Sequence, residues 1–91
     1  MLDIRILDEA QAFLDTLPEK YRHQLVRKIV LLAKRPHPPR SKQLEGYAPL
    51  RRLSSGDYRI IYFVDGNVLK VPLVDKRGDD KVYRRLKRLF G

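Results

Sequence analysis

The sequence predicts an α+β fold: a small antiparallel sheet of about four strands, packed on one side by an N-terminal helical hairpin and followed by a short C-terminal helix. Three observations carry that expectation. Apolar residues recur at helical spacing in the first third of the chain, they alternate at strand spacing between residues 50 and 74, and turn-forming residues separate these stretches. The expected order is β-α-α-β-β-β-α, in one domain spanning residues 1–91.

Residues 2–7, LDIRIL, alternate apolar and polar positions and lead into Asp8, which suits an N-cap, with Glu9 in the first turn where the helix dipole favours an anion. Ala10, Phe13, Leu14 and Leu17 give the first helix its apolar stripe, and Pro18 is placed to open a second. There Tyr21, Leu25, Ile29 and Leu32 form a stripe widened by Val26 and Ala33, while Arg22, Arg27, Lys28 and Lys34 face away. The run PHPP at 36–39 stops the helix, because proline lacks an amide hydrogen and restricts the residue before it. After the loop KQLEGYAP, a strand from about Leu50 turns at SSGD, returns as Tyr58–Val64, and turns again at Asp65-Gly66-Asn67. Val68, Val71, Leu73 and Val74 mark another strand, in which Pro72 fits an edge or a bulge. Asp79 or Asp80 then caps a short helix with Val82, Leu86 and Leu89 inward.

Composition narrows the function classes. The chain has no cysteine, so neither disulfides nor thiolate metal sites are expected, and His23 and His37 lie in no metal-ligand spacing. No apolar run reaches bilayer-spanning length and Met1 is followed by an apolar residue and an acid rather than a basic leader, so a soluble, cytoplasmic protein without a membrane partner is expected. The net charge of +9 is unevenly distributed. Residues 1–33 are balanced, whereas residues 34–59 carry seven cations against two anions and residues 76–91 again seven against two. Two basic segments flanking one strand predict a site for a polyanion such as RNA, or for an acidic protein partner.

The strand between them, in the stretch RRLSSGDYRIIYFV, holds the residue that most needs explaining. Alternation puts Tyr58, Ile60, Tyr62 and Val64 on one face and Arg59, Ile61 and Phe63 on the other, so a cation shares a face with bulky apolar groups. An unpaired buried guanidinium costs several kcal/mol, so Arg59 needs either an acid, Asp57 or Asp75, or a ligand. Elsewhere the familiar catalytic patterns are missing. Gly56 and Gly66 stand singly in turns, Ser54 and Ser55 lack a His/Asp arrangement, and no carboxylate pair stands out. A set of cations remains, Arg51, Arg52, Arg59, Lys76 and Arg77, with one aromatic hydroxyl, Tyr83, towards the C-terminus.

Such a set could cleave RNA without histidine or metal. A base must take the 2′-hydroxyl proton, cations must stabilise the pentacovalent phosphate, and an acid must serve the leaving 5′-oxygen. Arginine suits the second task through its planar fork, and tyrosine suits the first if neighbouring cations lower its pKa from the usual value near 10.

The residues also carry a family resemblance. The LDEAQAFLDTLP opening, KQLEGYAPLRRL, the GDYRIIY block at 56–62 and VDKRGDDKVY at 74–83 resemble the RelE/ParE superfamily of toxin–antitoxin toxins over nearly the whole chain. Arg52, Arg59, Arg77 and Tyr83 match the pattern of the RelE branch, and the chain departs from it at Leu50, where well-known members have lysine. The resemblance implies a toxin that cuts mRNA in the ribosomal A site to a 2′,3′-cyclic phosphate and needs no cofactor. It implies Tyr83 as base, Arg77 as acid, and Arg52 and Arg59 as phosphate ligands. Arg51, Lys76, Lys81, Arg84, Arg85, Lys87 and Arg88 would hold RNA, including rRNA, and the partners would be the ribosome, mRNA and a cognate antitoxin. The alternative within the superfamily is a ParE-like inhibitor of DNA gyrase without nuclease activity.

Overall fold

The computed structural model describes residues 1–76 together with Arg84, Lys87 and Arg88. Within them the order is β1 (Asp3–Ile6), α1 (Asp8–Asp15), α2 (Glu19–Lys34), β2 (Lys42–Gln43), β3 (Arg51–Ser55), β4 (Tyr58–Asp65) and β5 (Val68–Lys76). The five strands form one sheet in the order β1-β5-β4-β3-β2. The α+β class and the helical hairpin stand as the sequence predicted.

Two features of the sheet differ from expectation. β1 pairs with β5 in parallel, Ile4 opposite Leu69 and Ile6 opposite Val71, so the sheet is mixed. The two helices between β1 and the meander act as the crossover that lets the first strand lie beside the last in the same direction. The fifth strand, β2, is a two-residue pairing of Lys42 with Arg52 and Gln43 with Arg51, too short to leave an alternation signal. The helix starts are also adjusted: Leu7 rather than Asp8 is the N-cap of α1, placing Asp8 and Glu9 together in its first turn, and Pro18 is the N-cap of α2. The expected terminal helix, with its capping aspartate and inward Val82, Leu86 and Leu89, lies outside the described residues, although Arg84, Lys87 and Arg88 are helical and exposed.

Both hairpins turn through a glycine with positive φ, Gly56 at 58° and Gly66 at 59°. Ser55 faces Tyr58 and Asp65 faces Val68, so each loop has two residues with glycine first, an arrangement whose twist matches the flanking strands. Pro72 lies where the register between β4 and β5 shifts, between the pairs Ile61–Leu73 and Phe63–Lys70. The bulge accommodates a residue that cannot donate to the ladder. It also keeps Leu69, Val71 and Val74 on one face although the last two are three residues apart.

That face meets the helices. Ala10 and Leu14 of α1 and Leu25, Ile29, Leu32 and Ala33 of α2 are buried against Leu53, Ile60, Tyr62, Leu69, Val71 and Val74. Tyr58 contacts both helices, through Phe13 at 6.1 Å and Tyr21 at 6.0 Å between ring centroids. The helical stripe is narrower than its spacing suggested, since Tyr21 and Val26 are exposed. The opposite face has a smaller cluster of Leu44, Leu50, Ile61 and Leu73, with Tyr47 and Phe63 packed against it.

Tyr62 joins the PHPP segment to the sheet: its hydroxyl donates to the Pro36 carbonyl at 2.6 Å. Tyr62→Phe keeps the ring and removes that bond, at an expected cost of about 1 kcal/mol. In a domain of this size that corresponds to a fall in Tm of about 4–8 °C, measurable by thermal unfolding.

Candidate functional site: a cationic sheet face

The site is built on the sheet face turned away from the helices. Cross-strand pairing fixes which side chains share it. Arg52 lies opposite Ile61 and Ser54 opposite Arg59, so Arg52 and Arg59 are diagonal neighbours on that face. Lys42, opposite Arg52 on β2, extends the row. Diagonal positions lie roughly 7–8 Å apart, close enough for two long cationic side chains to address one phosphate group. A groove of about 420 Å³ beside them is lined by Lys42, Gln43, Leu44, Glu45 and Arg52.

The two arginines differ in setting. Arg52 is half-buried. Arg59 is only 7% exposed and lies directly opposite Asp75, itself 5% exposed. Of the two acids that strand alternation offers it, Asp75 stands directly opposite, while Asp57 is exposed in the hairpin turn. One Asp75 carboxylate oxygen also accepts from the Lys76 amide at 2.6 Å. Direct cross-strand register puts the Arg59 and Asp75 side chains on the same sheet face as Arg52.

The remaining sequence candidates divide. Arg51 points to the helix side, and its Nε and Nη2 donate to the Ser41 hydroxyl at 3.2 and 2.8 Å, with Nη2 also donating to the Ser41 carbonyl. It thereby pins the loop before β2. Lys76, opposite Tyr58, also belongs by register to the helix side. Arg77, Tyr83, Lys81 and Arg85 lie outside the described residues, and Arg84, Lys87 and Arg88 are exposed cations. Lys42 was not singled out by sequence reasoning. Its lysine is visible in the basic segment, but its facing depends on a two-residue strand that the sequence does not announce.

A second surface lies on the helix side. Leu31, Leu32, Pro38, Pro39 and Leu53 line a groove of about 590 Å³ with Lys28, Lys34, Arg35 and Arg40 around it. Leu31 is 55% exposed there, the most exposed large apolar side chain in α2. Among the described residues there is no group of acids and histidines able to hold a metal ion, and no helix long and apolar enough to cross a membrane.

The fold and this face define a class of small basic α+β proteins with Arg52, Arg59 and Lys42 on one side of the sheet. Comparison with known proteins makes the class specific. Residues 4–81 match the family described as ParE toxin of type II toxin–antitoxin system, parDE, and the chain belongs to that family, within the RelE/ParE superfamily. Comparison with curated protein sequences gave no match. Among solved structures, the chain is similar to the free-state double mutant of E. coli toxin RelE (23% identity, 99% of this chain and 98% of that one, TM-score 0.81). The archaeal RelE–RelB complex of Pyrococcus horikoshii OT3 matches at 27% identity over 85% of this chain and 96% of that one, TM-score 0.74. The RelBE2 toxin–antitoxin complex of Mycobacterium tuberculosis matches at 24% identity over 84% and 98%, also with TM-score 0.74. The protein is thus the toxin of a type II toxin–antitoxin system.

Proposed function

We propose that this toxin is a ribosome-dependent mRNA endonuclease of the RelE type. The observation that carries the reading is the placement of Arg52 beside Arg59 on one sheet face, with Lys42 extending the row. In the proposed reaction the 2′-oxygen attacks the adjacent phosphorus while Tyr83 takes its proton. Arg52 and Arg59 hold the equatorial oxygens as charge builds up, and Arg77, as the acid, gives a proton to the departing 5′-oxygen, which leaves as a hydroxyl. The products are a 2′,3′-cyclic phosphate and a 5′-hydroxyl. The exposed Arg84, Lys87 and Arg88, with Lys81 and Arg85, supply rRNA phosphate contacts.

Mapping mRNA 5′ ends after brief expression tests this directly: cuts phased to the ribosomal A site are expected. The ParE description of the matched family favours a second reading, inhibition of DNA gyrase without nuclease action. Induced DNA damage with no phased mRNA cuts would select that second reading and reject the first.

The proposed protein partner is a cognate antitoxin. An acidic segment bearing apolar side chains would complement the Leu31 groove, whose floor is apolar and whose rim is cationic. Leu31→Glu introduces a like charge to such a segment, on an exposed position that the fold does not need. It is expected to weaken the toxin–antitoxin complex at least tenfold in a calorimetric titration, with no change in Tm of the free toxin.

A further inference from the structure

One feature of the cationic face lies outside the phosphate chemistry. Beyond Arg52 the same face continues into an aromatic cleft of about 270 Å³ lined by Gly46, Tyr47, Ala48, Pro49, Leu50 and Phe63. Phe63 belongs to this face because it stands two residues beyond Ile61, the cross-strand partner of Arg52. Two residues of strand span about 7 Å. The cleft therefore sits beside the phosphate row, and the segment from Lys42 to Leu50 lines both.

The walls are held in place. The Leu44 amide donates to the Leu50 carbonyl at 2.9 Å, the Tyr47 amide to the Leu44 carbonyl at 3.2 Å, and the Leu50 amide to the Tyr47 carbonyl at 2.8 Å. Gly46, at φ 80°, supplies the backbone conformation that this tight loop requires. Tyr47 and Phe63 are each only half-buried, so part of both rings remains available. Lys70 approaches the Phe63 ring to 5.9 Å and is anchored by Asp65 at 2.8 Å. That hydrogen bond, together with the lysine's charge, holds the Asp65 carboxyl below the usual carboxylate range. The cleft differs from the Leu31 groove in its lining, since it carries two aromatic rings where that groove has aliphatic side chains and prolines. A rigid aromatic cleft next to a row of cations is the arrangement that holds a base while its backbone is neutralised.

We infer that Tyr47 and Phe63 form a nucleobase-stacking subsite for single-stranded RNA, one step along the strand from the phosphate held at Arg52. The inference rests on the RNA-cleaving reading for its ligand class and extends it to where the substrate's base is held. Stacking of this kind tolerates any base, so it gives affinity and positioning rather than base identity. The subsite thus fixes how a substrate strand lies across the sheet.

The test uses the full chain and two labelled hexamers that the toxin cannot cut: a 2′-O-methyl RNA, and the same backbone without bases. Wild type is expected to bind the base-bearing strand on the order of 10 to 100 times more tightly than the abasic one. Phe63→Leu and Tyr47→Leu should each remove most of that preference, leave abasic binding unchanged, and keep the dependence of affinity on salt. Arg52→Ala should instead reduce that salt dependence. Equal binding of both strands by wild type, or an undiminished base preference in a Phe63→Leu variant with wild-type Tm, overturns the subsite. So does a Phe63→Leu variant that keeps its base preference but loosens the antitoxin complex, since the cleft would then be a protein pocket. A base preference removed by these substitutions in a toxin that makes no phased mRNA cuts would uphold the subsite while rejecting the nuclease reading.

Discussion

Arg52→Ala is expected to slow mRNA cleavage on programmed ribosomes by about 10²–10³-fold, the usual loss when one preorganised donor to a developing oxyanion is removed. The fold should not notice. Arg52 is half-buried on β3, and its side chain makes no hydrogen bond among the described residues, so its removal should change stability by no more than about 0.5 kcal/mol. Expression of the variant should therefore no longer arrest growth, although the purified protein melts at the wild-type temperature. Arg52→Lys supplies the charge without the planar fork and should recover only part of the rate. Single-turnover cleavage with saturating toxin separates this loss from weaker ribosome binding. A wild-type rate for Arg52→Ala would remove the residue from the reaction and leave Lys42, its cross-strand neighbour, as the cation to examine.

The difference between Arg52 and Arg51 illustrates what the sequence could and could not convey. Strand alternation alone put the two on opposite faces, and the register agrees, with Arg51 occupied by Ser41. The hairpins at Gly56 and Gly66 and the irregularity at Pro72 were legible for the same reason: each depends on the backbone chemistry of one residue and its neighbours. Pairings between distant segments left no such trace. Nothing in LDIRIL states that it will lie parallel to a strand more than sixty residues away, and a two-residue strand at Lys42–Gln43 has no period to detect. The N-cap of α1 moved by one residue because Asp8 serves the helix from its first turn as well as from the cap position. Tyr21 and Val26 fit the helical period but lie at the margin of the stripe, where the sheet does not extend to cover them. Lys42 escaped notice because its position on the cationic face exists only once β2 pairs with β3.

Arg59 is where structure and proposed chemistry compete, and its substitution is expected to have the largest effect on stability. The residue and Asp75 are both almost fully buried and face one another across the ladder. Removing one of two opposed buried charges costs about 3–5 kcal/mol, because the other must remain desolvated without compensation. For a domain whose total stability is on the order of 5–15 kcal/mol, Arg59→Ala should lower the urea midpoint sharply, and Asp75→Ala should do nearly the same. Loss of toxicity in either variant would then say little about phosphate binding. The double substitution Arg59→Met with Asp75→Leu resolves the ambiguity, since apolar side chains of similar volume can replace a buried ion pair at little cost, and sometimes with a gain. That variant is expected to regain at least half of the lost stability yet remain unable to cleave mRNA, because no guanidinium is left beside Arg52. If the double variant is both stable and fully active, Arg59 is a structural cation paired with Asp75, and the phosphate site reduces to Arg52 and Lys42. If it is stable and inactive, one arginine has two tasks: the carboxylate that makes its burial tolerable also aims it at the substrate.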